Sequence, residues 1–135
     1  MHLVLQVLAT AQALRKTGER LFRAHGLTLA QFNVLNLLAD QPAGMRASQL
    51  ARALIVDASN VTGLLKRMQA EGLLRDCENT ADRRQHVVAL TTTGLTAWKA
   101  ANREYVQSLE TVDSALSPAA RRITEQALRD MIAVL

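Results

Sequence analysis

The chain has 135 residues, 49% of them hydrophobic, and 16 Lys and Arg against 12 Asp and Glu for a formal charge of +4. That length suits one domain, able to bury about two-thirds of its extended-chain surface, and the basic balance favours a polyanionic partner without naming one. A single cysteine excludes an intramolecular disulfide framework and fits a reducing cytoplasm, and no run reaches the roughly 18 to 20 apolar residues that span a bilayer.

The first predicted element is a helix over 3–25. Leu3, Val7, Leu14, Leu21 and Phe22 recur at helical intervals, with Ala11 and Gly18 on the same side and Gln6, Gln12, Arg15, Lys16, Glu19 and Arg23 opposite. Its apolar start has no basic segment ahead of it and runs on into Arg15-Lys16 at the same period, so it reads as part of the fold rather than as a secretory leader. Gly26 ends it. A second helix is predicted over 29–40, capped by Thr28 and burying Phe32, Leu35, Leu38 and Ala39, and Gln41 to Gly44 is a turn.

The stretch from Ala47 to Gly94 organises the rest. Leu50, Ala51 and Leu54 form one apolar edge, Ile55 to Asp57 breaks the pattern, and Val61, Leu64, Leu65 and Met68 resume it at helical spacing. Helix, turn and helix follow, the second capped by Asp57 and stopped at Gly72. The period then shortens. Leu73 to Cys77 and His86 to Leu90 read as two strands of a hairpin whose tip, Glu78 to Gln85, carries Asp82, Arg83 and Arg84. A helix-turn-helix followed by a hairpin is a winged helix, and its second helix offers Ser59, Asn60, Thr62, Gly63, Lys66 and Arg67 outward, suited to a duplex. Between Pro42 and Arg67 four basic residues (Arg46, Arg52, Lys66, Arg67) face one acid, Asp57. Between Leu95 and Leu135 five basic residues meet five acids, so the excess lies where a nucleic acid would be met.

Past the hairpin, Thr91, Thr92 and Thr93 supply capping hydroxyls for a long helix whose main apolar residues are Leu95, Trp98, Tyr105, Val106, Leu109 and Val112. Ser117-Pro118 starts a last helix, with Ser as N-cap and Pro at the first helical position, and Ile123, Ala127, Leu128, Met131, Ile132 and Leu135 carry it to the end. Two apolar terminal helices are more than one copy is expected to cover, which points to a twofold dimer presenting two recognition helices to a palindrome.

Several of these segments together resemble the MarR family of bacterial winged-helix regulators. The resemblance is carried by Asp82-Arg83-Arg84 leading to Leu90-Thr91-Thr92-Thr93-Gly94, a D-x-R followed by L-T-x-x-G, and by Gln49-Leu50-Ala51, Ser59-Asn60-Val61-Thr62 and Glu71-Gly72-Leu73-Leu74. It implies a mostly α fold with a small β-hairpin in one domain over 1–135: a DNA-binding lobe at about 28–94, and dimerisation helices at about 3–25 and 95–135. The function implied is a cytoplasmic, ligand-responsive repressor that binds a palindromic operator in double-stranded DNA as a homodimer. By position, Ser59, Asn60, Thr62, Gly63, Lys66 and Arg67 face the major groove, Arg83 or Arg84 enters the minor groove, and Asp82 orients a wing arginine. Arg46, Ile55 and Gly63 depart from the residues common in relatives: a Ser or Thr cap, a Gly and, in several, an Arg.

Other readings compete. Lys66 and Arg67 would otherwise be a solvated helix face, and Arg83 and Arg84 a charged hairpin tip that keeps an edge soluble. A second class of function is a winged-helix module that pairs with protein and has lost DNA binding, against which these four basic residues argue. Cys77 lies between Asp76 and Glu78, carboxylates that disfavour a reactive thiolate. His2, His25 and His86 lack the spacing of a zinc set. Trp98 and Tyr105 read as core before they read as an aromatic-ligand cleft, and Arg15, His25 and Arg103 are candidates for a small anionic ligand. No cofactor is expected, and no phosphate-binding glycine loop or nucleophile elbow suggests an enzyme.

Overall fold

The computed structural model describes residues 2–54, 58–77 and 86–135, apart from the side chains of Ala58 and Ser59. Six helices and three short strands follow in the order α1 (His2–Ala24), α2 (Leu29–Leu38), β1 (Met45–Arg46), α3 (Ala47–Leu54), α4 (Ala58–Ala70), β2 (Leu74–Cys77), β3 (Val87–Leu90), α5 (Thr92–Asp113) and α6 (Pro118–Ala133). They form two compact units, Met1–Asn102 and Arg103–Leu135.

In the first unit the core is built by α2, α3 and α4, with the sheet laid against α2 and α4. Phe22 at the end of α1 stacks on Phe32 of α2, ring centroids 4.0 Å apart, and Val34, Leu35, Leu38 and Leu50 are fully enclosed. The capping at Thr28 is as expected and more complete. Its Oγ1 accepts from the Gln31 N–H while the Gln31 side chain accepts from the Thr28 N–H, a reciprocal box that satisfies two of the orphan donors of the first turn. The helix ends at Leu38, two residues before the predicted limit.

The wing has a strand that the sequence did not signal. The expected hairpin is the centre and one edge of a three-stranded antiparallel sheet ordered β1-β3-β2, with Met45 opposite Val88 and Leu74 opposite Leu90. Two residues are too few to show a period, so β1 forms because β3 would otherwise leave one edge of its backbone unpaired. Arg46 departs from a Ser or Thr cap, yet its N–H is satisfied by Gln49 Oε1 at 2.9 Å, the return half of a capping box. Asp57, expected to cap α4, and the tip from Glu78 to Gln85 lie outside the described residues.

Where β3 passes into α5, Thr91 does two jobs. Its hydroxyl donates to the Gly72 carbonyl at 2.6 Å and accepts from the Gly94 N–H at 2.9 Å, joining the exit of α4 to the start of α5. Gly94 is buried, and a Cβ there would collide with the backbone carbonyl of Leu73. Gly94→Ala is therefore expected to lower unfolding free energy by about 1–3 kcal/mol, measured by chemical denaturation, because backbone on both sides has to move. Trp98, expected in the core, is only half-buried, and its Nε1–H donates to Asn36 Oδ1 of α2 at 3.1 Å.

In the second unit the end of α5 leads through Ser114 to Ser117 into α6, whose cap is as predicted: Ser117 accepts from the Ala120 N–H and Pro118 opens the helix. Here the apolar residues are largely uncovered. Val106, Leu109 and Val112 of α5, and Ile123 and Ile132 of α6, are all exposed, the last two above 70%, and α6 buries no residue at all within the single chain. Tyr105, also expected in the core, is half-buried. At the other terminus, in the first unit, Leu3, Val4, Leu5 and Leu8 of α1 are each more than half exposed. No described helix is long and apolar enough to cross a membrane.

Candidate nucleic-acid interface

The site begins with the division of α4 into two sides. Val61, Leu65 and Met68 follow one another at steps of four and three and are buried, 1%, 5% and 0% exposed, so one stripe is committed to the core. The remaining arc carries Asn60, Thr62, Gly63, Lys66 and Arg67, all exposed. Ser59 belongs to the helix, but its side chain is outside the described residues, as are Asp82, Arg83 and Arg84. A Cβ built on Gly63 meets no atom within 4 Å, so the position is smooth by residue choice and not through crowding.

Three anchors hold this helix. Gln69 Nε2 donates to Asp76 Oδ1 of β2 at 2.7 Å, and Gln31 Nε2 of α2 donates to Glu71 Oε2 at 2.9 Å. The third is the exit itself. Leu73 N–H donates to the Met68 carbonyl and Gly72 N–H to that of Gln69, at 2.9 and 3.0 Å, with Gly72 at φ +76°, where a side chain is disfavoured. The sequence marked the glycine but not the two glutamines. The threonine-x-x-glutamine spacing at 28–31 was a legible capping signal; the reach of Gln31 to Glu71 was not.

Beside the outward arc lies an open groove of about 340 Å³ bounded by Ala30 and Asn33 of α2, Leu54 of α3, and Asn60, Val61, Leu64 and Arg67 of α4. Its walls are mostly apolar, with two amides and one guanidinium. Of the side chains considered for an anionic ligand, Arg15 pairs with Glu19 along α1 at 3.6 Å, His25 follows the end of α1 with its backbone N–H donating to the Phe22 carbonyl, and Arg103 belongs to the second unit. Around Cys77 the strand alternation changes the expected neighbour. Asp76 points to the side engaged by Gln69, whereas Arg75, two residues back on the face of Cys77, donates from Nη1 to its Sγ at 3.3 Å. No cluster of three or more metal-ligating side chains occurs among the described residues.

Comparison with known proteins bears on what such a helix is for. The sequence model of the MarR family matches residues 25–85. The transcriptional activatory protein BadR of Rhodopseudomonas palustris is 38% identical over 91 residues, which are 66% of this chain and 52% of BadR; the chain thus spans about half the length of that relative. Among solved structures, a MepR–DNA complex from S. aureus superposes with a TM-score of 0.87, 20% identity, and coverage of 98% of this chain and 97% of that one. AbsC, a MarR family transcriptional regulator from Streptomyces coelicolor, gives a TM-score of 0.84 at 25% identity over 95% of this chain and 88% of that one. These relatives are named as regulators, and with a matching family core, a superposable winged helix and the L-T-x-x-G joint built as found at Thr91 and Gly94, the chain is similar over residues 25–85 to the MarR family of winged-helix transcriptional regulators.

Proposed function

We propose that the chain is a sequence-specific DNA-binding regulator acting as a homodimer on a palindromic operator, represses transcription by occupying that site, and is released by a small aromatic or anionic ligand. The observation that carries the reading is the exposed arc of α4, where hydrogen-bonding side chains and two cations sit opposite a stripe buried in the core. On this reading Ser59, Asn60, Thr62, Gly63, Lys66 and Arg67 meet the major groove, Arg83 or Arg84 meets the minor groove, and Asp82 orients the wing. Residues 28–94 form the reading lobe, and 3–25 with 95–135 form the dimer region. The uncovered apolar side chains of α1, α5 and α6 support the dimer, because exposed apolar stripes of this extent call for a partner surface. The groove between α2, α3 and α4 supports the ligand, since Asn60 and Arg67 are shared by its wall and the outward arc.

A mobility-shift series on the protein's own promoter region tests the reading. A discrete complex is expected, weakening steeply with salt at a logarithmic slope of about −0.9 per phosphate neutralised, while the preference over unrelated duplex persists. Charge reversal at Arg84 should abolish the shift and leave the sedimenting dimer intact; a dimer that shifts no promoter fragment at low salt would instead favour a protein-pairing module. The name of BadR favours a second sense of regulation, activation. A reporter assay with the gene deleted separates the two by whether output rises or falls.

A further inference from the structure

Gln31 is the one buried polar side chain among the described residues, 7% exposed, and both ends of its amide are engaged. Capping of α2 uses only Oε1, which accepts from Thr28 N–H at 3.0 Å. Nε2 is turned away from that helix to Glu71 Oε2, a partner 40 residues further along the chain. Glu71 is the first residue past α4, and its own N–H donates to the carbonyl of Arg67 at 2.9 Å. A single amide therefore ties the first turn of α2 to the last turn of the helix that carries Lys66 and Arg67. The buried stripe of α4 cannot do this alone, because apolar contacts are non-directional and tolerate small rotations, whereas a charge-assisted hydrogen bond fixes distance and direction.

We infer that Gln31 is a positioning residue for base reading: through Glu71 it sets the exit of α4, and with it the register in which Lys66 and Arg67 meet a duplex. The inference rests on the DNA-binding reading above. It concerns a residue that touches no nucleic acid and lies on a different helix.

Three variants of the full chain test it. Q31E keeps an oxygen for the Thr28 N–H but sets a carboxylate against that of Glu71; E71A removes the acceptor by changing an exposed side chain. The exchanged pair Q31E/E71Q restores the bond in reverse, the amide at 71 donating to the carboxylate at 31. In the free protein, hydrogen exchange at the amides of Glu71, Gly72 and Leu73 is expected to quicken about tenfold in Q31E and E71A and to return near the wild-type rate in the exchanged pair. With a duplex selected by the wild-type protein, the ratio of specific to unrelated affinity should fall about tenfold in both single variants and recover in the pair. Q31E adds a negative charge and E71A removes one, so a shared loss of discrimination cannot come from net charge. Wild-type exchange and discrimination in E71A, or a pair that behaves as Q31E does, would overturn the inference. A wild-type protein that binds no duplex would overturn the proposed function, while the exchange rates would still decide whether Gln31 holds the helix exit.

Discussion

Replacing Lys66 and Arg67 together by alanine is expected to lower affinity for a specific duplex about 100-fold, as the product of two contacts each worth roughly tenfold. Both side chains are exposed on α4, and alanine is at least as good a helix former, so the fold should be unmoved to within about 0.5 kcal/mol. The two single variants should differ in kind. A lysine that meets phosphate weakens all sequences alike and flattens the salt dependence, whereas an arginine forked onto a base costs discrimination at one position of the site. Titrations of specific and unrelated duplex at two salt concentrations check this. Unchanged binding by the double variant would mean that the outward arc of α4 is not the reading surface.

The largest effect on stability is expected at Phe22. Its ring is 1% exposed and stacks against Phe32, itself 3% exposed, with an interplanar angle of 13°, so Phe22→Ala loses the transfer energy of a large side chain, leaves a cavity and ends a ring contact. A loss of about 3–5 kcal/mol follows, a fall of roughly 10–20 °C in the melting temperature for a chain of this size. The measurement should be made at one fixed protein concentration, since association shifts apparent stability. A loss below about 1 kcal/mol would show that α1 and α2 are not held together through this pair.

Much of this architecture was legible because it is decided by neighbours in sequence. Thr28 and Ser117 cap the helices they were expected to cap, since a capping hydroxyl reaches only three residues ahead. Val61, Leu65 and Met68 could be assigned to the core, and Asn60, Lys66 and Arg67 to the surface, from period alone, because a helix turns by a fixed angle per residue. The same logic exposed the joint at Thr91 to Gly94, although the reason for that glycine, the Leu73 carbonyl, lies 21 residues earlier.

Other features depended on what the chain brings together. β1 exists only as an edge for β3. Trp98 is held by Asn36, 62 residues away, and Gln31 by Glu71 at a separation of 40; in each case a polar side chain has several local options, and the fold selects a distant one. The apolar residues of α5 and α6 are the clearest case. Periodicity marked Val106, Leu109, Val112 and Ile132 as a face to be covered, yet the single chain buries Ala101 instead and leaves those side chains in water. A hydrophobic pattern states that a surface seeks cover, because transfer from water is non-directional; which surface covers it is a matter of three-dimensional placement alone.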